Sequence, residues 1–235
     1  MTLAEIERAS SEIDSLVSSQ MFLIDEEIKP IHDGIIDPER YIGSKYKILW
    51  ILKEPYDDDM EGGWDFKGMI KGKNSIFEFA TGRNTFRPII YSSWGILNNF
   101  CLFDDMDNIE DVPSMLNAFK SIAYINIKKT PGARSSNSQT VQYYYQKHKD
   151  LLLKQVNYIN ADIIIGGNTL QYLQGDLNLK SENRRQFNRL SYYQCANKLY
   201  INAYHPAQRP SLTKVSLEQY CDDIINVAKI WATTK

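Results

Sequence analysis

The chain reads as an α/β protein, a three-layer α/β/α sandwich around a mostly parallel central sheet of about four strands. Two observations predict this. Apolar runs of strand length, Lys47–Leu52 and Asp162–Ile165 among them, show no polar alternation, as expected of strands covered on both faces. They are interleaved with longer segments of helical period, the signature of parallel βαβ units. No repeat, low-complexity tract or linker interrupts the pattern, so residues 1–235 read as one domain with residues 1–45 as an N-terminal helical arm.

Taken in order, Ile6, Ile13 and Val17 fall near helical spacing and predict a first helix over Ala4–Val17, with Phe22–Ile35 continuing as a helical or irregular arm. Lys47–Leu52 is the first strand and breaks at Lys53. Residues 57–82 are rich in Asp and Gly, which predicts a long loop with one helical turn near Ile76–Phe79. Phe86–Phe100 and Val112–Phe119 read as helices. Ile122–Ile127 is the second strand, stopped by Lys128-Lys129-Thr130-Pro131-Gly132. Ser138–Ile159 is a long helix with a basic side, and Asp162–Ile165 the third strand, stopped by Gly166-Gly167 before a short helix over Thr169–Leu173. Tyr192–Ala196 and Leu199–Ala203 form a hairpin-like pair, the second strand of which leads into Tyr204-His205-Pro206. Leu212–Thr233 closes the chain as a helix.

Composition narrows the function. With 43% hydrophobic and 24% charged residues over 235 positions, there is length for one sizeable core. Cys101, Cys195 and Cys221 lie far apart without a CxxC, which disfavours a disulfide framework, a zinc site and a four-cysteine cluster. Glu5, Glu7, Arg8 and Asp14 occupy a start that a secretory signal would make basic and then apolar, and no apolar run reaches spanning length; the expectation is a cytoplasmic protein with no membrane partner. The net charge of −2 conceals an asymmetry. Residues 1–60 hold 14 Asp/Glu against 6 Lys/Arg, whereas residues 120–149 hold six Lys/Arg and no acid. A local positive face suffices to meet phosphates.

In an open parallel sheet ligands bind at the carboxyl ends of the strands. The first and last strands end at Lys53-Glu54-Pro55-Tyr56 and His205-Pro206-Ala207, which would set a carboxylate and an imidazole at one end of the sheet. There is no GxGxxG and no GxxxxGK[ST], so dinucleotide and P-loop readings lack their phosphate-binding backbone. The absence of GxSxG disfavours an ordinary α/β hydrolase.

The four strand ends, in order, resemble the uracil-DNA glycosylase superfamily. Lys53-Glu54-Pro55-Tyr56 stands where one branch carries Gln-Asp-Pro-Tyr, Asn126 where the second strand ends in a base-reading asparagine, Ile165-Gly166-Gly167 where the third leads into a Gly turn, and His205-Pro206-Ala207 where the last ends in His-Pro-Ser. The likeness covers roughly Tyr46–Thr213. Ala207 departs from the family's serine, and Arg209 stands where several members insert an apolar wedge.

The resemblance implies excision of a flipped, deaminated or damaged base from DNA, single- or double-stranded, with neither metal nor cofactor. Glu54 would position a water and stabilise an oxocarbenium-like sugar, and His205 would donate to the base as charge grows on it. Asn126 would pair with the base edge, Tyr56 wall the pocket, and Phe66, or else Trp64, stack on the base. Lys128, Lys129, Arg209 and Ser211 are candidate nucleic-acid contacts, while Arg184, Arg185 and Arg189 read as a solvated loop in preference to a phosphate path. Tyr143-Tyr144-Tyr145 reads as core-facing. The alternative function is a non-catalytic relative of the same fold that binds nucleic acid or a base-like ligand.

Overall fold

The computed structural model describes residues 2–22, 29–57, 59–65, 68, 85–133, 135–207 and 214–234. The predicted turn at Ile76–Phe79, and Phe66, Arg209 and Ser211, lie outside them. Among the described residues the sheet has seven strands, not about four: β1 (Gly34–Ile35), β2 (Ile48–Leu52), β3 (Ala123–Asn126), β4 (Ile163–Gly167), β5 (Arg184–Phe187), β6 (Leu190–Cys195) and β7 (Lys198–Ala203), in the order β1-β3-β2-β4-β7-β6-β5. The four expected strands are its parallel centre, β3-β2-β4-β7. The other three strands are antiparallel, and of these β6 was expected as the partner of β7 in a hairpin. β1 pairs with β3, and β6 and β5 extend the sheet beyond β7.

The missed strands have a physical reason. β1 spans two residues within what reads as an arm, and β5 is an edge strand whose Arg184, Arg185 and Gln186 are exposed, so neither carries a core-facing period. Charged edge strands resist further pairing. The β6–β7 hairpin turns at Ala196-Asn197, with Ala196 at φ 52°.

Helices α1 (Leu3–Phe22), α2 (Pro38–Gly43), α3 (Phe86–Leu97), α4 (Asn117–Lys120), α5 (Ser138–Ile159), α6 (Leu170–Leu173) and α7 (Leu217–Thr233) complete the described architecture. The predicted Val112–Phe119 helix is a 3₁₀ turn, Pro113–Leu116, running into α4. Side-chain alternation in β2 sorts the helices into two layers. Ile48, Trp50 and Leu52 pack with Ile89, Ile90, Ile224 and Trp231 of α3 and α7, whereas Leu49 and Ile51 pack with Val141, Tyr145, Leu152 and Val156 of α5. All five β2 residues are therefore buried, which is why the run reads as continuously apolar.

Caps set the helix ends. Asn137 Oδ1 accepts from the amides of Gln139 and Thr140 at the start of α5, and Ser216 Oγ accepts from Gln219 N at the start of α7. Asn160 ends α5 in the left-handed region at φ 46°.

The acidic N-terminal helix lies across the basic α5. Ile13 and Val17 pack on Leu151, Glu12 pairs with Lys154, and Gln20 Oε1 lies 3.1 Å from His148 Nδ1. Asp14 and Ser18, one turn apart on α1, flank His32 at 3.5 and 3.3 Å and tie the helix to the sheet edge. Between them and residues 32–38 runs an open groove of about 580 Å³ lined by Glu7, Asp14, His32 and Asp65.

Candidate active site

Strand order locates the crevice. β2 lies between β3 and β4, and the chain leaves it toward β3 with α3 on one face, then returns to β4 with α5 on the other. Such a reversal opens a crevice at the carboxyl ends of the flanking strands, here β2 and β4. Glu54 follows β2, Asn126 ends β3, Gly166-Gly167 end β4, and His205 follows β7. All four predicted strand-end positions thus sit at one end of the sheet.

Glu54 is held on two sides. Its Oε2 accepts from Lys128 Nζ at 3.1 Å, with the two side chains 6% and 12% exposed. Lys128 Nζ also donates to Pro131 O at 2.5 Å and lies 5.4 Å from the Tyr144 ring centroid. Gly132 supplies the second side, since a Cβ there would stand 2.4 to 2.6 Å from Glu54 Cγ, Cδ and Oε2. The backbone locks this face: Lys128 N donates to Lys53 O, Gly132 N to Pro55 O, and Tyr56 bridges to Gly132. Lys128 is consequently a partner of the carboxylate rather than an open phosphate contact.

His205 occupies the other side of the crevice. Its Nδ1 accepts from Ala207 N at 3.2 Å, which places the ring proton of the neutral imidazole on Nε2. Burial, reinforced by the positive charge of Lys53, pushes its pKa down to about 4. At neutral pH it is therefore an uncharged Nε2–H donor. Gly167 lets this loop close on the sheet, because a Cβ there would lie 2.3 Å from Leu52 Cδ2 and 3.0 Å from Pro206 Cδ.

Glu54 and His205 do not bond to each other. β4 separates their strands, so the strand ends stand about two spacings, ~10 Å, apart. β4 ends in two glycines, and the space that a side chain would take is filled by Leu170 and Thr169 at Gly166 and by Leu52 and Pro206 at Gly167.

Asn126 is the unusual member. Its side chain is fully buried, and among the described residues neither Nδ2 nor Oδ1 has a hydrogen-bond partner. Its backbone amide donates to Asp33 Oδ2 at 2.8 Å. By alternation with Tyr124 it belongs to the sheet face that also carries Leu52. An unsatisfied buried amide costs on the order of 1–3 kcal/mol and calls for a partner.

Several expectations are corrected. Lys129 is not a surface contact: it is 1% exposed, and its Nζ donates to Asp33 Oδ1 at 2.6 Å and Gln155 Oε1 at 2.8 Å. Asp33 and Gln155 were missed by sequence reading because they lie 96 and 26 positions away from Lys129, on elements that only the sheet edge and α5 bring together. Arg184, Arg185 and Arg189 are exposed on or beside the β5 edge, three strands from β4. Trp64, the second choice for stacking, packs against the core and donates from Nε1 to Asp57 Oδ2 at 3.1 Å. Tyr56 stands 38% exposed at the mouth. Of Tyr143-Tyr144-Tyr145, only Tyr145 is core; Tyr143 is 57% exposed.

No helix among the described residues is long and apolar enough to cross a membrane, and no group of three or more His, Cys, Asp or Glu there is arranged to hold a metal. The chain matches no protein-family model and no curated protein sequence.

Proposed function

We propose that this chain is a DNA glycosylase of the uracil-DNA glycosylase-like kind, hydrolysing the N-glycosidic bond of a flipped, uracil-like base. The observation that carries this reading is Asn126, whose buried amide offers a donor and an acceptor side by side with no hydrogen-bond partner among the described residues. A pyrimidine edge presents the complementary pair.

The flanking groups suit bond cleavage. As the glycosidic bond lengthens, positive charge grows on the sugar and negative charge on the departing base. The Glu54 carboxylate would oppose the first and orient the attacking water. His205, donating from Nε2, and the nearby positive charge of Lys53 would oppose the second. A neutral His donor is suited to stabilise a base anion without transferring a proton to it.

A second reading, a non-catalytic relative that binds nucleic acid or a base-like ligand, is favoured by one observation. Lys128 already engages the Glu54 carboxylate, leaving less charge for the sugar. The test is incubation with oligonucleotides carrying uracil, hypoxanthine or other lesions, followed by alkaline cleavage at abasic sites. Excision is expected, with Glu54→Gln and His205→Ala each lowering the rate by about 10²–10³. Excision unchanged by both substitutions overturns the assigned roles, and binding without excision on any lesion selects the second reading.

A further inference from the structure

A row of side chains leads outward from Glu54 along α5. Lys128 Nζ, 3.1 Å from Glu54, lies 5.4 Å from the Tyr144 ring centroid. The Tyr144 and Tyr143 rings follow at 5.9 Å with an interplanar angle of 88°, and Lys147 Nζ lies 5.7 Å from the Tyr143 centroid. Tyr143 is the most exposed of the large apolar side chains described, at 57%. The row lies within residues 120–149, which hold six Lys/Arg and no acid.

We propose that this row is the path by which a single-stranded nucleic acid reaches the crevice, with bases stacking on Tyr143 and Tyr144 and phosphate meeting Lys147. It rests on reading the crevice as a base site. Stacking on aromatic side chains needs base faces that a duplex keeps covered by its own neighbours. Two rings at right angles cannot both stack within one regular helical column, so they suit successive bases turned away from each other. Lys147 supplies charge where the backbone would pass, and the continuity of contacts from Lys147 to Glu54 joins the path to the proposed chemistry. Lys149 is outside the row, paired with Asp176 at 3.4 Å.

The experiment is fluorescence anisotropy with an undamaged, end-labelled single-stranded oligonucleotide and its duplex, for the wild type, Tyr143→Ala, Tyr143→Phe and Lys147→Gln. Tyr143→Ala is expected to weaken single-strand binding about tenfold or more, and Tyr143→Phe to retain it. Lys147→Gln is expected to reduce the slope of log affinity against log salt by about 0.7. Duplex binding is expected to be insensitive to Tyr143→Ala. The proposal is overturned if the wild type binds no single strand, if Tyr143→Ala leaves binding unchanged, or if duplex and single strand lose affinity equally. Lesion excision is scored separately: excision lost in Glu54→Gln with binding indifferent to Tyr143 removes the path and leaves the glycosylase, whereas Tyr143-dependent binding without any excision does the reverse.

Discussion

Glu54 and Lys128 close a 3.1 Å ion pair against Gly132, a residue with no side chain to hold them apart. The missing Cβ is what allows the carboxylate to lie flat on the strand-end loop. Gly132→Ala is expected to move it, because the added carbon would stand 2.4 Å from Cγ and 2.5 Å from Cδ. Excision should fall about 100-fold. Overpacking should cost about 1–3 kcal/mol in urea denaturation. Full activity in this variant would show that the carboxylate position is irrelevant to turnover.

Asn126 separates stability from function. Asn126→Leu keeps the number and branching of side-chain heavy atoms and removes two buried polar atoms that have no partner among the described residues, so the protein should gain about 1–2 kcal/mol. The same change should abolish recognition of the base. A more stable variant that retains excision would refute base reading by this amide.

Lys129 and Asp33 form a wholly buried pair at 2.6 Å, each side chain 1% exposed. Burial lowers the Lys129 pKa, and Asp33 offsets this in part. Lys129→Met strands a buried carboxylate that also accepts from Gln155 Nε2 and Asn126 N. A loss of about 3–5 kcal/mol is expected from denaturant titration. A near-neutral effect would contradict the buried network.

His205 should leave a mark on the pH dependence of stability. Its folded pKa is about 4, against about 6.5 for an unfolded histidine, so the unfolded chain binds the extra proton first as pH falls. The contribution is constant above pH 6.5 and is lost between about 6.5 and 4. It amounts to about 2 kcal/mol after allowance for the partly exposed ring. His205→Gln should flatten the stability curve over that window; an unaltered curve would place the ring in water.

Gly167 couples the crevice walls. Gly167→Ala is expected to push Pro206 and Leu52 apart, since the new carbon would lie 3.0 and 2.3 Å from them. Thermal unfolding should report a destabilisation of about 1–3 kcal/mol, with a parallel fall in excision. Unchanged values for both would show that the His205 loop tolerates displacement.

The parallel centre was legible in the sequence because burial on both faces leaves a continuous apolar mark. Ile48–Leu52 and Ile163–Ile165 carry it, and α5 announces itself by its length and its basic side. Two strand ends were legible for a related reason, since Lys53 and Pro206 interrupt those runs, whereas β4 continues through Gly166 and Gly167, which read as its stop. The short β1 and the polar β5 carry no comparable signal.

Local order along the chain thus determined which groups stand at strand ends, namely Glu54, Asn126 and His205. Tertiary structure alone decided their surroundings. Lys128 and Lys129 are adjacent in sequence and alike in chemistry, yet one leans on Glu54 beside the crevice and the other is sealed against Asp33 and Gln155. The difference comes from elements up to 96 residues away, brought in by the sheet edge and α5. No pattern in a single chain records such partners, because desolvation and pairing depend on what packs around a side chain and not on what precedes it.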